Sequence, residues 1–235
     1  MDYEQLKEAL GGEILGKPID SAFIDKLRLY SELLRDWNKR INLTSIVEEG
    51  EIVEKHFLDC LLIAKEADLS GLSVCDIGSG GGFPGMLLAL VFENASFTLV
   101  DSTSKKFLFL SEVKERLQIP NVSFHIGRIE EWKEGRGSFD FATSRAFSSL
   151  SVFLEVGAPL LKKGGRLLAM KGLRHEEELL QAKKAIKALG LSYEGEHCFL
   201  LPESEQTRAA MFFRKIGETP LKYPRLWKDI VKKPL

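Results

Sequence analysis

Hydrophobic positions in the first part of the chain recur at spacings of three and four, which is the period of an amphipathic helix. One series follows Asp20, a residue type that favours helix N-caps, and ends at Trp37. A second series runs from Ile52 to Ala64. The pattern therefore predicts helices within residues 1–70, with Trp37 in the core.

Further along the chain, short β-branched runs alternate with helical stretches, a pattern typical of parallel strands joined by crossover helices. The predicted strands are LSVCDI, SFTLVD, VSFHI, FDFATS and RLLAMK, and the helices are expected to begin near Pro84, Ser104, Ser151 and Glu176. The runs LSYEGEHCFLL and RAAMFFRKI leave no room for a helix between them and predict an antiparallel hairpin at one sheet edge. The expected fold is α/β, with a helical extension over 1–70, a sheet domain over 71–218 and a basic tail over 219–235.

Composition narrows the class of protein. With 235 residues, 44% of them hydrophobic, the chain can bury a large core. The longest apolar stretch, Met86 to Phe92, is far shorter than the roughly 20 residues of a membrane helix, and no secretory signal is visible. Three widely spaced cysteines favour reduced thiols and a cytoplasmic protein; they are Cys60, Cys75 and Cys198. No short metal-binding motif is present, so no metal is expected.

Charge is uneven along the chain although the net charge is only −1. Residues 206–235 carry eight Lys or Arg against Glu218 and Asp229. Any binding of a polyanion is therefore expected to be local, and a solvated basic surface is the alternative interpretation.

The segment VCDIGSGGGFPG combines a buried strand, a glycine-rich turn and a helix start, the order found in nucleotide-binding sites. Its glycines match the GxGxxG pattern at Gly80, Gly82 and Gly85. However, the carboxylate of Asp76 and the bulk of Phe83 suit a cationic ligand better than a diphosphate. We therefore expect S-adenosylmethionine, which carries a sulfonium and an ammonium; a turn without ligand is the alternative.

Two further strand ends carry candidate cofactor contacts. Asp101 ends the second strand, where a carboxylate accepts hydrogen bonds from ribose hydroxyls, although it is also a candidate helix N-cap. After the third strand, Ile129 is expected to cover the adenine ring and Glu130 to meet its edge, with a solvated acidic turn as the alternative. Ser102 and Thr103, which follow Asp101, belong to the same predicted site.

Seven motifs in sequence resemble one family: WNKRINLTS, HFLDCL, DIGSGGGFPG, VDSTSKK, RIEEW, TSRAF and LLAMKG. They occur in the order seen in the bacterial 16S ribosomal RNA guanine-N7 methyltransferases, also called glucose-inhibited division protein B. The resemblance implies a class I Rossmann-like methyltransferase sheet, and a guanine of the decoding-region loop of 16S rRNA as methyl acceptor. It also implies that S-adenosylmethionine, which becomes S-adenosylhomocysteine, contacts Gly78, Phe83, Asp101, Ile129, Glu130 and Arg145.

The chemistry fits an acceptor that carries a free lone pair. The segment TSRAF lacks the Asn-Pro-Pro type motif of exocyclic-amine methylases, and no cysteine is placed for attack on a pyrimidine. A guanine N7 needs alignment but no general base, so Arg145 is expected to position cofactor or base. Its alternative role is a salt bridge to Asp76 or Glu130. His56 and Asp59 share a predicted helix face and are expected to form a local hydrogen-bonded pair, with a place in the active-site wall as the alternative.

RNA is expected to approach along basic groups that flank the strand ends, each of which singly could be ordinary surface charge. The candidates are Arg40, Lys105, Lys106, Lys171, Arg174, Lys222, Arg225 and Lys228, with Asn42 and Thr44 beside the RNA entrance. The expected partner is 16S rRNA or the small ribosomal subunit, bound by a monomer with no protein partner and no membrane. The alternatives are a catalytically silent RNA-binding assembly factor and an NAD(P)-dependent oxidoreductase.

Overall fold

A seven-stranded sheet forms the centre of the computed structural model, which describes residues 1–235. A short hairpin precedes it, made of β1 (Glu13–Ile14) and β2 (Lys17–Pro18). The sheet contains β3 (Ser73–Ile77), β4 (Ser96–Asp101), β5 (Val122–Ile126), β6 (Phe139–Arg145), β7 (Leu161–Lys171), β8 (Leu191–Leu200) and β9 (Thr207–Lys215).

Nine α-helices surround the sheet, and none is both long and apolar enough to cross a membrane. They are α1 (Tyr3–Ala9), α2 (Ser21–Asn38), α3 (Glu49–Ile52), α4 (Asp59–Glu66), α5 (Gly85–Val91), α6 (Ser104–Arg116), α7 (Leu150–Gly157), α8 (His175–Ala188) and α9 (Trp227–Lys232). A π-helical segment, Val53–Leu58, joins α3 to α4. The four predicted helix starts of the sheet domain lie within one residue of those observed.

The strand order β5-β4-β3-β6-β7-β9-β8 confirms the predicted α/β architecture. The pairs from β5 to β7 are parallel, whereas β9 and β8 run antiparallel and end the sheet as the predicted hairpin. The chain leaves β3 towards β4 and later returns to the other side of β3 as β6. Open α/β sheets bind ligands outside the carboxyl ends of strands at such a reversal.

The helical extension shares one core with the sheet. As predicted, Asp20 caps α2, since its carboxylate accepts a hydrogen bond from the Phe23 amide at 2.8 Å. A cluster of 44 buried hydrophobic residues includes side chains of both α2 and β4. Tyr30 in α2 also donates a buried hydrogen bond to the Gly81 carbonyl at 2.7 Å. The extension therefore supports the glycine-rich turn directly, and the domain boundaries at 70 and 218 stay a prediction.

The C-terminal segment over residues 219–235, predicted as a basic tail, is docked on the domain. The Arg225 guanidinium pairs with Glu155 of α7, a residue with no solvent exposure, through contacts of 2.8 and 2.5 Å. Ile230 of α9 is fully buried. Arg136 donates hydrogen bonds to the carbonyls of Tyr223 and Thr219 at 2.8 and 2.6 Å.

We expect Arg225→Ala to lower the free energy of unfolding by about 3 kcal/mol, because the buried Glu155 carboxylate loses its counter-charge. Lys222→Ala removes an exposed charge from the same segment and should change stability by less than about 0.5 kcal/mol. Urea unfolding of both variants and the wild type measures the difference. Equal stability of the two variants would show that the ion pair does not anchor the segment.

Candidate functional site

The turn after β3 requires glycine at its first position. Gly78 adopts φ +72°, and a Cβ built there would lie 2.6 Å from Cδ2 of Phe147. The Gly78 and Ser79 amides donate hydrogen bonds to the Val100 carbonyl at 2.8 and 3.0 Å. The ends of β3 and β4 are thereby held together, and the Phe147 ring packs directly on the backbone of the turn.

Asp76, predicted to complement the cofactor directly or through water, supports this turn from behind. The residue has no solvent exposure, and its Oδ2 accepts a hydrogen bond from the Gly85 amide at 2.9 Å. Burial raises the pKa of Asp76 to about 7. A Cβ on Gly85 would lie 2.6 Å from the same oxygen, so a glycine is needed for this contact.

Phe83 also lies beneath the turn, although the family resemblance implies a contact with the cofactor. Its ring is 4% exposed and stacks on Tyr30 and His56, with centroid distances of 5.4 and 4.5 Å. The ring therefore supports the site from the core and does not line the cavity.

A cavity of about 410 Å³ opens at the carboxyl ends of β3, β4 and β5. It contains five of the predicted cofactor residues, which confirms their proximity. The lining residues are Gly78, Val100, Asp101, Ser102, Lys106, Gly127, Arg128, Ile129, Glu130, Ala146, Phe147 and Trp227. We call it the first cavity.

Asp101 is the best-supported carboxylate of the first cavity. Its Oδ1 accepts a hydrogen bond from the Thr103 amide at 2.9 Å, and its Oδ2 accepts one from the Gly80 amide at 3.2 Å. Lys106 Nζ lies 2.8 Å from Oδ2. Gly80 and Thr103, predicted as cofactor contacts, therefore act through Asp101, and Lys106 neutralises this carboxylate.

Opposite Asp101, the cavity wall changes from apolar to acidic. Ile129 is 7% exposed and belongs to the core beside the sheet. The Glu130 side chain is 5% exposed and lies 3.5 Å from Arg128. An apolar surface next to a carboxylate fits a flat heteroaromatic ring with polar edges, as predicted for this segment.

Two aromatic rings of the first cavity were missed by the sequence analysis. Phe147 follows β6, and Trp227 begins α9 at the far end of the chain; their centroids are 5.7 Å apart at an interplanar angle of 73°. The docked C-terminal segment brings Trp227 to the cavity. The only local signal was an aromatic residue within an otherwise basic stretch.

A second cavity of about 380 Å³ adjoins the first, and Ala146 lines both. Its lining residues are Asp59, Arg145, Ala146, Ser148, Met170, Lys171, Gly172, Glu178 and Arg208. Ala146 has a positive φ of +54°, an uncommon conformation for a residue with a Cβ. At this turn Arg145 contributes to the second cavity while Phe147 contributes to the first.

Arg145 is held by several partners at the edge of the second cavity. Its Nη2 lies 2.8 Å from His56 Nδ1, and its Nη1 donates to the Lys55 carbonyl at 2.8 Å. The same Nη1 lies 3.4 Å from Asp59 Oδ2, and the guanidinium covers the Phe83 ring at 5.1 Å. Arg145 therefore does not line the first cavity, and its partners are not Asp76 or Glu130. Both expectations are corrected, because the π-helical segment supplies nearer acceptors.

His56 is a neutral acceptor for Arg145. A guanidinium can only donate, so Nδ1 accepts and Nε2 carries the proton, which it donates to Thr44 Oγ1 at 2.9 Å. Burial, followed by the Arg145 charge, lowers the pKa of His56 to about 3. His56 and Asp59 thus bind Arg145 and do not pair with each other as predicted, and Thr44 supports His56.

Asp59 connects two arginines from different strands. It is 1% exposed, and its oxygens lie 3.4 Å from Arg145 Nη1 and 3.2 Å from Arg208 Nε. Burial raises the pKa of Asp59, although both arginines oppose that shift. Arg208, where the predicted run of basic C-terminal phosphate contacts begins, is thereby fixed in the second cavity.

Several predicted phosphate contacts are engaged within the protein. Lys171 lies 2.9 Å from Glu178, and it is largely buried, as are Lys106 and Arg225 with their own partners. Arg40 and Arg174 form exposed ion pairs with Asp36 and Glu177, which contribute little energy and can exchange. Exposed cations without an ion pair remain at Lys105, Lys222 and Lys228.

The first cavity fits an adenosine moiety, with Asp101 for a ribose diol, Ile129 and Trp227 for a flat base, and Glu130 for its polar edge. It lies where parallel α/β sheets bind nucleosides. Fold and site together define a Rossmann-like, S-adenosylmethionine-dependent methyltransferase.

Comparisons with known proteins identify the family. The family described as rRNA small subunit methyltransferase G matches residues 23–205. Proteins named ribosomal RNA small subunit methyltransferase G are similar over nearly the whole chain. That of Bacillus subtilis (strain 168) is 42% identical, and the match covers 96% of this chain and 95% of that protein. That of Ligilactobacillus salivarius (strain UCC118) is 36% identical, and the match covers 100% of both. The chain belongs to the rRNA small subunit methyltransferase G family.

Solved structures agree on the fold alone. A SAM-dependent methyltransferase from Methanosarcina mazei superposes with a TM-score of 0.53 at 15% identity, covering 67% of this chain and 98% of that one. The YcgJ protein from Bacillus subtilis gives a TM-score of 0.53 at 17% identity, covering 68% and 98%. Both lack counterparts for about a third of this chain.

We expect the buried, neutral His56 to make the fold acid-sensitive. Its folded-state pKa of about 3 lies below the ordinary value of about 6.5, so the unfolded chain binds the proton more readily. The free energy of unfolding should therefore fall as pH drops from about 6.5 towards 3. His56→Asn, whose Oδ1 can accept from Arg145, should gain stability relative to wild type over this range. Denaturant titrations at several pH values test this; parallel pH curves for the two proteins would contradict it.

Proposed function

We propose that this protein transfers the methyl group of S-adenosylmethionine to N7 of a guanine in the decoding-region loop of 16S rRNA. Family membership gives a methyltransferase of small-subunit rRNA. The guanine as the methylated base, and N7 as the methylated atom, are our proposal. The observation that carries it is the junction at Ala146, where a nucleoside-sized cavity adjoins a second cavity that contains no available general base.

The first cavity has the groups needed to hold the cofactor. When bound, S-adenosylmethionine supplies an electrophilic methyl group on sulfur. Asp101 would accept hydrogen bonds from the ribose hydroxyls. Its carboxylate would then bind the ribose and the Lys106 ammonium group at the same time. Ile129 and Trp227 would enclose the adenine ring, and Phe147 excludes water between Trp227 and the Gly78 turn.

The second cavity supports an acceptor that needs no deprotonation. Its Asp59 carboxylate is committed to two arginines, and Glu178 is paired with Lys171. His56 lies behind Arg145 and is 4% exposed, with a pKa too low for a base at neutral pH. Guanine N7 already carries its lone pair, so this cavity needs only to hold the base in line with the methyl group.

Arg145 is the residue that we propose to position the guanine. A guanidinium has five N–H donors, and three of them are used by His56, Asp59 and the Lys55 carbonyl. The remaining donors, which include Nε–H, are available to an acceptor such as guanine O6. The stacked Phe83 ring and the neutral His56 fix the guanidinium plane, so the donors are preorganised.

RNA phosphates are proposed to contact the three predicted lysines that are exposed and form no ion pair within the protein. Lys105 lies at the start of α6 beside Asp101, and Lys222 and Lys228 flank Arg225 and Trp227 in the docked C-terminal segment. Lys105 and Lys228 each adjoin in sequence a residue that lines the first cavity, Lys106 and Trp227 respectively. The internally paired Lys106, Lys171 and Arg225 are assigned to the structure of the site.

The test is nucleoside analysis of small-subunit rRNA methylated in vitro, for which we expect 7-methylguanosine. Arg145→Ala should reduce the single-turnover rate more than tenfold, about 1.4 kcal/mol or more of barrier, because the base loses its positioning contact. Arg145→Lys keeps the charge without the planar donor set and should recover little activity. The wild-type chemical rate should show no ionisation between about pH 6 and 8, since no base is needed.

Recovery of N6-methyladenosine or 5-methylcytidine would overturn the proposed acceptor. A single-turnover rate that follows one group with a pKa between about 6 and 8, in both the wild type and Asp76→Asn, would overturn the base-free mechanism. The variant is needed because Asp76, beneath the turn, has a pKa of about 7. Circular dichroism of each Arg145 variant controls for loss of fold, because this side chain also supports Asp59.

Cofactor binding is expected to depend on two residues that are far apart in the sequence, Asp101 and Trp227. Asp101→Ala should weaken S-adenosylhomocysteine binding by about 1.5 to 3 kcal/mol, since hydrogen bonds to a charged group are lost. Trp227→Ala should cost about 1 to 3 kcal/mol, the scale of stacking between an aromatic side chain and a base, and Trp227→Phe should retain most of the affinity. Calorimetry measures each value; wild-type affinity for Trp227→Ala would exclude this ring from the site.

A further inference from the structure

Three potential metal ligands converge at the sheet edge, away from the residues that line the first cavity. His175 begins α8, and Glu196 and Cys198 lie two residues apart on one face of β8. Their ligand atoms all lie within 4.8 Å of one another. His175 Nε2 is 3.3 Å from Glu196 Oε1 and 3.6 Å from Cys198 Sγ.

The hydrogen-bond partner of His175 decides which nitrogen of its ring carries the proton. Its Nδ1 lies 3.1 Å from the Gly172 carbonyl, which can only accept, so Nδ1 carries the proton. In the neutral ring Nε2 then presents a lone pair towards the thiol and the carboxylate. A carboxylate cannot donate in return, so the Nε2 to Oε1 contact is satisfied either by a proton on Nε2 or by a metal ion that both atoms bind. A histidine whose second nitrogen donates to a backbone carbonyl is also the usual arrangement in metal sites.

Two of the three separations between the ligand atoms match those expected around a tetrahedrally coordinated ion. Zinc binds His nitrogen at about 2.0–2.1 Å, carboxylate oxygen at about 2.0–2.2 Å and thiolate sulfur at about 2.3 Å. Ligands at tetrahedral angles are then separated by about 3.3 Å for nitrogen to oxygen and about 3.6 Å for nitrogen to sulfur. Two observed separations, 3.3 Å for nitrogen to oxygen and 3.6 Å for nitrogen to sulfur, agree with these values. The Glu196 and Cys198 ligand atoms lie within 4.8 Å of each other, so a side-chain rotation would complete the site.

We propose that His175, Glu196 and Cys198 form a site for a zinc-like divalent cation, with solvent at the fourth position. Binding displaces the Cys198 thiol proton to solvent, and the thiolate and carboxylate together balance the charge of the ion. The ion would connect the edge strand β8 to the start of α8. Through the Gly172 carbonyl it would also fix a backbone segment that lines the second cavity.

This site was not expected from the sequence, which contains no short metal motif. The ligands are separated by about twenty residues, and the strand and helix bring them together only in the fold. Cys198 is exposed, whereas Cys60 and Cys75 are buried, so Cys198 alone is accessible to an ion from solvent.

The experiment titrates the chelator-treated, full-length protein with Co²⁺, followed by competition with Zn²⁺. We expect about one ion per chain, a thiolate-to-cobalt charge-transfer band, and visible bands typical of four-coordinate cobalt. Cys198→Ser should abolish the charge-transfer band. His175→Ala and Glu196→Gln should weaken binding at least about tenfold, since even loss of an outer partner has that effect.

His197→Ala is the matched control, because His197 lies on the same strand but contacts Phe212 and Glu66 instead of the cluster. It should bind Co²⁺ like the wild type. Cys198→Ser changes one atom of an exposed side chain, and thermal unfolding without metal verifies its fold. Zn²⁺ should raise the melting temperature of wild type and His197→Ala but not of Cys198→Ser.

Absence of stoichiometric binding, or equal binding by Cys198→Ser and His197→Ala, would overturn the metal site. Nuclear magnetic resonance that shows a doubly protonated His175 ring in protein incubated with Zn²⁺ would assign the centre to a proton instead. These measurements read metal and thiolate directly, so they are independent of methyl transfer.

Discussion

A single buried carboxylate joins the parts of this protein that must cooperate. Asp59 lies at the end of the π-helical segment, yet its two counter-ions come from β6 and β9. Loss of one partner from a buried pair costs about 3–5 kcal/mol, because the remaining charge stays desolvated. The helical extension is thus tied to the strand ends that form the site, and its position fixes Arg145 and Arg208 together.

The constraint on Arg145 propagates through one residue to the cofactor side. With Arg145 held by His56, Asp59 and a backbone carbonyl, the chain turns at Ala146 through a left-handed conformation that costs about 1–3 kcal/mol. Phe147 then packs on Gly78, whose lack of a Cβ permits the contact. The strained turn at Ala146 directs its two neighbours to different cavities, Arg145 to the second and Phe147 to the first.

Local patterns predicted the fold and the position of the strand ends well, because strand ends and helix caps are encoded by nearby residues. Asp101, Ile129 and Glu130 occur in the first cavity for that reason. The differences concern residues whose burial and packing partners are not visible in the local pattern. Asp76 and Phe83 looked like ligands but lie beneath the turn, and Trp227 reaches the cavity only because its segment is anchored by an ion pair that spans 70 residues. The basic residues were visible in the sequence, whereas the ion pairs that they form inside the protein were not.

That neutralisation bears on what the second cavity can recognise. Three cationic side chains, from Arg145, Lys171 and Arg208, face two carboxylates, so the cavity has a small positive excess. A phosphate entering it would have to displace Asp59 or Glu178 from a paired, partly buried arrangement. An electron-rich base edge needs only the unused donors and adds no charge to be desolvated. The cavity is therefore better matched to the proposed guanine than to the RNA backbone, and the proposed phosphate contacts are exposed lysines outside this cavity.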